Sequence, residues 1–183
     1  MIAVLTAAVV ALVVSILATP AAIRLLVRQN YGQLIRDDGP TSHHVKRGTP
    51  TMGGAVIIIA VLAGYGMAHL VRLSAPSVSG LLVLFLVVGL GAVGFVDDFI
   101  KVRRRRSLGL SKTAKVVGQA VVALIFGMIA VRAGVPTELT FMRATGVELG
   151  LLFYLWVFVI LAASSNAVNL TDGLDGLASG ASI

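Results

Sequence analysis

Two adjacent carboxylates, Asp97 and Asp98, close the uncharged apolar run Gly80–Val96. An unpaired carboxylate is expensive at membrane depth, so acids at such a boundary usually have a purpose. Hard oxygen donors suit Mg²⁺, which binds one or two carboxylates together with substrate phosphates. A carboxylate held near a metal can also act as base or nucleophile. The plain alternative is a pair of solvated interfacial acids close to Lys101. A second cluster follows at a spacing of three: Asn166, Asn169 and Asp172, extended one turn by Asp175. On a helix such residues share a face. Two Asp-Gly steps interrupt a helix, and a helix end with turn formers is the plain reading. Four polar side chains in register on an otherwise apolar stretch favour a site. A third polar stretch runs from Arg36 to Gly54. Gly48, Gly53 and Gly54 permit close backbone approach and Pro50 stiffens the turn. Lys46 and Thr51 are donors suited to phosphate, although the stretch also reads as an ordinary interhelical loop. His43-His44 makes a poor metal site, because adjacent side chains point apart and the chain has no cysteine.

The elements that must hold these residues follow from composition. The chain of 183 residues is 57% hydrophobic and 13% charged, against about 25% charged in soluble domains, and its mean hydropathy is +0.97. The apolar residues come in long runs, roughly Ile2–Ile23, Gly54–Val71, Gly80–Val96, Val116–Val131 and Leu149–Val168. Most approach the ~20 residues a helix needs to cross a bilayer, with the third and fourth somewhat short. Open strands cannot satisfy their backbone groups in lipid, so the spans are helices. The expected fold class is all-α: a polytopic transmembrane bundle of about five spans, forming one domain over residues 1–183. The first run lacks a positive leading region and reads as a retained helix, not a cleaved signal. His69 falls near the end of the second span, as an interfacial residue.

Orientation comes from charge. Five basic residues lie in segment 24–53 and seven in 97–115, twelve of the 15 in the chain. The positive-inside rule places both segments in the cytosol, the N-terminus outside, and the segment after the fifth span in the cytosol again. All three polar stretches therefore converge on the cytosolic face. The net charge of +7 needs no nucleic-acid partner. Arg103–Arg106 sits against anionic headgroups, binding of an anionic substrate being the sharper reading. Absence of cysteine excludes disulfides, thiolate metal sites and cysteine nucleophiles.

Together the stretches resemble the polyprenyl-phosphate N-acetylhexosamine-1-phosphate transferases of the glycosyltransferase 4 family. Asp38-Gly39-Pro40, Ser42-His43, Lys46 and Gly48-Thr49-Pro50-Thr51-Met52-Gly53-Gly54 look like the first signature of the branch that uses UDP-MurNAc-pentapeptide. Asn166 to Ala178, reading NAVNLTDGLDGLA, looks like the second. Asp97-Asp98 with Lys101 resembles the family's aspartate pair, and Gly109-Leu110-Ser111 with Lys115 its following lysine segment. The matches run from residue 36 to 180 in family order. The resemblance implies a multi-pass enzyme of the bacterial cytoplasmic membrane with its active site facing the cytosol. It would transfer phospho-MurNAc-pentapeptide from UDP-MurNAc-pentapeptide to undecaprenyl phosphate, with Mg²⁺ as cofactor. By the same resemblance Asp97, Asp98 and Asp172 are catalytic, and Asp98, Asn169 and Asp172 hold the metal. Lys46, Thr51, Lys101, Lys115, Asn166 and Asp175 bind substrate. Direct attack by the lipid phosphate and an aspartyl intermediate both stay open. A homodimer is a family-level expectation only.

The family pattern continues with further helices, another cytosolic aspartate and a histidine-rich loop, so the resemblance covers roughly its first half. Residues 1–183 would then lack part of the metal site and be inactive alone. A sister enzyme using UDP-GlcNAc is the nearest alternative, opposed by the run Thr49-Pro50-Thr51-Met52-Gly53-Gly54. A transporter would place its polar groups at the midplane and show an inverted repeat. A non-catalytic membrane protein would carry the motifs without the chemistry.

Overall fold

Long apolar runs leave the backbone no hydrogen-bond partner in lipid but itself, and the helix is the outcome. A computed structural model of the chain describes residues 1–28, 52–104, 108–140 and 144–171. Its helices are α1 (Ile2–Arg28), α2 (Gly54–Arg72), α3 (Val78–Arg103), α4 (Lys112–Arg132) and α5 (Leu152–Thr171). Each contains a stretch long and apolar enough to cross a membrane, and the chain is a multi-pass membrane protein. The two runs that look short in sequence are full-length helices of 26 and 21 residues. Their charged ends prolong the helix beyond the apolar part, with long side chains that keep their heads at the interface. For the same reason α1 continues to Arg28, passing through Pro20. The start of α5 shifts the other way, since Leu149–Leu151 form a turn in which Gly150 has φ +49°.

The described residues fall into two compact units that divide after Thr113. In the first, α1 packs along α2, and α2 against α3. Small residues set these approaches, as is usual between membrane helices. A side chain at Gly64 would meet the main-chain oxygen of Ala7 and the Cβ of Ala11 on α1. The α2 terminus is closed by Leu73 in the left-handed conformation, whose N–H donates to Leu70. Beside it, His69 Nδ1 lies 3.1 Å from the Ser74 carbonyl and 3.2 Å from Ser74 Oγ. The α3 start is capped by Ser77 Oγ, which accepts from the Gly80 N–H at 3.1 Å.

The second unit holds α4, a two-stranded hairpin and α5. Its strands, β1 (Glu138–Thr140) and β2 (Ala144–Glu148), pair antiparallel with Glu138 opposite Glu148. The five helices bear out the all-α expectation, and among the described residues the hairpin is the one non-helical element. It lies between spans, where water can satisfy its edges, so the lipid constraint that dictates helices does not reach it. Gly127 lets the Tyr154 ring of α5 rest against α4, where a Cβ would collide with ring carbons.

Candidate active site

Asp97 and Asp98 sit on the last two turns of α3, not at its end, because the helix runs on to Arg103. Neighbours on a helix point about 100° apart, so two identical side chains have different surroundings. Asp97 is 6% exposed, whereas the Asp98 side chain is 31% exposed. Lys101 is four residues after one and three after the other, the two spacings that bring helical side chains together. Its Nζ lies 2.7 Å from Asp97 Oδ2 and 2.8 Å from Asp98 Oδ1. One ammonium thus clamps both carboxylates. Asp97 is held from a second side as well: its Oδ1 accepts the Leu110 N–H at 2.7 Å. That bond requires the segment after α3 to come close. Gly109 allows it, since any Cβ there would collide with the Asp97 carboxylate and main-chain oxygen. A buried carboxylate with an N–H and a cation on its two oxygens is the arrangement in which burial is tolerated. Asp98 Oδ2 has no partner among the described residues. On the far side of Asp98 around the helix, Phe95 and Phe99 stack with ring centroids 6.2 Å apart and remain exposed.

The second cluster lies near the C-terminal end of α5. Asn166 and Asn169 are one turn apart on this helix and both exposed. Asn166 Nδ2 donates to the Ala162 carbonyl at 2.7 Å and to Gln119 Oε1 of α4 at 3.4 Å. Gln119 Nε2 in turn donates to Ser165 Oγ at 2.7 Å. Lys115 belongs to the first turn of α4 and is half-buried. Lys46, Thr51, Asp172 and Asp175 lie outside the described residues, as do His43, His44, Arg105 and Arg106.

Sequence reasoning missed Gln119, Ser165 and the pairing of Leu110 with Asp97. Gln119 left a signal, as the one amide side chain inside the run Val116–Val131. The Leu110 N–H left none, because a backbone donor has no side-chain signature.

Among the described residues no three His, Cys, Asp or Glu side chains gather as a metal cage. The donor chemistry nevertheless fits a hard divalent cation. Asp98 keeps an oxygen without a described partner, and Mg²⁺ needs only one or two protein carboxylates when phosphate oxygens and water complete its shell.

Comparison with known proteins bears on the family. The model of glycosyl transferase family 4 matches residues 80–183. The model of phospho-N-acetylmuramoyl-pentapeptide-transferase signature 1 matches residues 46–58. A protein of Frankia casuarinae named phospho-N-acetylmuramoyl-pentapeptide-transferase is 58% identical over 187 residues, covering 98% of this chain and 53% of its own length. Proteins of the same name are 50% identical in Beutenbergia cavernae, over 100% of this chain and 55% of the relative, and 52% identical in Kineococcus radiotolerans, over 97% and 54%. The chain spans about half the length of the curated relatives it matches.

Proposed function

The chain belongs to glycosyl transferase family 4, and from that premise we propose that it is part of an enzyme transferring phospho-MurNAc-pentapeptide from UDP-MurNAc-pentapeptide to undecaprenyl phosphate, with lipid I and UMP as products. The observation that carries the reading is the Asp97–Lys101–Asp98 clamp at the end of an apolar span, in a chain half-identical to relatives named for this transfer. A phosphate oxygen of the lipid acceptor attacks the β-phosphorus of the sugar nucleotide. The bond from that phosphorus to the bridging oxygen breaks, and UMP leaves with the electron pair. Negative charge builds on the bridging oxygen, so positioned cations do most of the work.

The clamp supplies a physical route to this chemistry. A phosphate arriving at Lys101 competes with the two carboxylates for one ammonium. As Lys101 turns to the phosphate, its hold on Asp97 Oδ2 and Asp98 Oδ1 loosens, while the Leu110 N–H keeps Asp97 oriented. In the direct route a carboxylate takes the acceptor's proton as base; in the two-step route a carboxylate attacks the β-phosphorus and expels UMP, and the lipid phosphate oxygen then attacks that phosphorus and displaces the carboxylate. Bound Mg²⁺ would neutralise pyrophosphate charge, with Asp98 as one ligand, and Asn169 and Asp172 completing the protein's share by family resemblance. Asn166, Asp175, Lys46, Thr51 and Lys115 complete the substrate-binding set on the same ground. The site faces the cytosol of a bacterial cytoplasmic membrane, where the basic segments 24–53 and 97–115 lie by the charge rule.

The test is UMP release by the protein expressed from its complete gene. Release is expected with UDP-MurNAc-pentapeptide and not UDP-GlcNAc, to stop with EDTA, and to return with Mg²⁺. Asp98→Asn is expected to abolish it. Full activity in Asp98→Asn, or release from UDP-GlcNAc alone, overturns the reading. Residues 1–183 expressed alone, about half the length of the relatives, are expected to release none.

A further inference from the structure

Gln119 stands seven residues into α4, in a run otherwise apolar, and is 6% exposed. A buried amide is costly unless both its ends are partnered, and both ends of Gln119 are. Nε2 donates to Ser165 Oγ at 2.7 Å, and Oε1 accepts from Asn166 Nδ2 at 3.4 Å. Ser165 Oγ donates to the Ala162 carbonyl at 3.4 Å, and Asn166 Nδ2 donates to that same carbonyl at 2.7 Å. The four bonds form a ring that begins and ends on one oxygen. A carbonyl oxygen only accepts, so the Ala162 oxygen takes both of its ring bonds, and Asn166 Nδ2 donates in both of its own. Ser165 commits its one hydroxyl proton to Ala162 and so must accept from Gln119. Gln119 is left with its oxygen toward Asn166. The Ala162 carbonyl at 2.7 Å and Gln119 Oε1 at 3.4 Å both call for a donor, so Asn166 turns its NH₂ inward; the flipped amide would set oxygen against two oxygens.

We propose that Gln119 is a positioning residue that locks the Asn166 amide with its carbonyl oxygen turned away from α4, making Asn166 an acceptor for a hydrogen-bond donor on the uridine nucleotide. That donor is the uracil imide N–H or a ribose hydroxyl. Asn166 is exposed, and its Oδ1 has no partner among the described residues. The identity of the ligand rests on the transferase reading, whereas the ring does not.

The experiment uses the protein expressed from its complete gene, in lipid nanodiscs, and has two arms. In the first, asparagine-selective ¹⁵N labelling reports the Asn166 NH₂ pair, assigned by its loss in Asn166→Ala. Exchange with solvent is expected to be slow in the wild type and about tenfold faster in Gln119→Met, which fills the same space without polar atoms. Gln119→Glu, neutral when buried, donates and accepts in the same two directions and should restore slow exchange. Fast exchange in the wild type, or no change in Gln119→Met, overturns the ring. The second arm is UMP affinity by calorimetry. Gln119→Met and Asn166→Ala should each weaken it by about tenfold, the weight of one hydrogen bond, and the double variant no further. Additive losses, or unchanged affinity in folded Gln119→Met, overturn the positioning role. Slow exchange in a wild type with no affinity for UMP overturns the nucleotide assignment while the ring stands, so the two failures are told apart.

Discussion

Gly109→Ala puts one methyl group where the tightest approach in the candidate site occurs. The new Cβ would lie 2.7 Å from the Asp97 carboxyl carbon and would also collide with Oδ1 and with the Asp97 main-chain oxygen. The carboxylate can swing aside. The main-chain oxygen cannot, because it is fixed in the body of α3. Relief must come from the segment at 108–111 backing away, and the first bond lost is Leu110 N–H to Asp97 Oδ1 at 2.7 Å. A hydrogen bond to a charged group contributes about 1.5–3 kcal/mol. At 1.36 kcal/mol per tenfold, its loss in the transition state lowers kcat/KM by roughly 10- to 150-fold. UMP release by the complete enzyme is the assay, with kcat/KM measured on the folded fraction after size exclusion. Asp97 would keep Lys101 but lose its second anchor, so the fall should appear mainly in kcat. Wild-type kcat/KM in folded Gly109→Ala would refute the claim that this bond orients Asp97.

Lys101→Met leaves two neighbouring carboxylates without their shared cation, and UMP release should fall by about a hundredfold, the cost of losing a positioned charge at a reacting centre; Lys101→Arg should recover part of it. Gly64→Ile forces α1 off α2, because even a Cβ there meets the Ala7 main-chain oxygen at 2.6 Å; overpacking of this kind costs about 1–3 kcal/mol, read as a lower thermal midpoint in detergent. Single cysteines at Arg104 and at Glu148 should label from opposite sides of sealed vesicles, Arg104 from the cytosolic side; labelling of both from one side would refute the orientation.

The helices were legible because lipid imposes a local rule. Every residue of Gly80–Val96 reports the same requirement, so one apolar run suffices to place α3. The ends were less legible, since Arg28, Lys101 and Arg103 are helical while looking like loop. The hairpin at 138–148 is too short for a period to show, and it lies where the rule no longer applies. Parts of the site were visible as residue types: the acid pair, the Asn166 and Asn169 spacing, and Lys101 near both acids.

The site's partners are another matter, and the reason is separation along the chain. Lys101 meets Asp97 and Asp98 within one helical turn, so its role follows from spacing. Leu110 meets Asp97 across 13 residues, and Gln119 meets Ser165 and Asn166 across 46 and 47. No periodicity carries such pairings. What the sequence does carry is the anomaly: one amide in the apolar run of α4, one glycine in a segment that must touch a buried carboxylate. Each is unfavourable or unremarkable alone and sensible only with its partner. A buried polar group in a membrane span is costly unless paired, so an isolated Gln119 already implies a second polar residue on a facing helix. Ser165 and Asn166 stand in the next apolar run along the chain, about as far from the C-terminal end of α5 as Gln119 is from the N-terminal end of α4. Antiparallel neighbours bring those two ends to the same side of the bilayer, and equal depth then makes the three residues natural partners. The anomaly in α4 and the anomaly in α5 are two halves of one requirement, and each half is written in the amino-acid sequence.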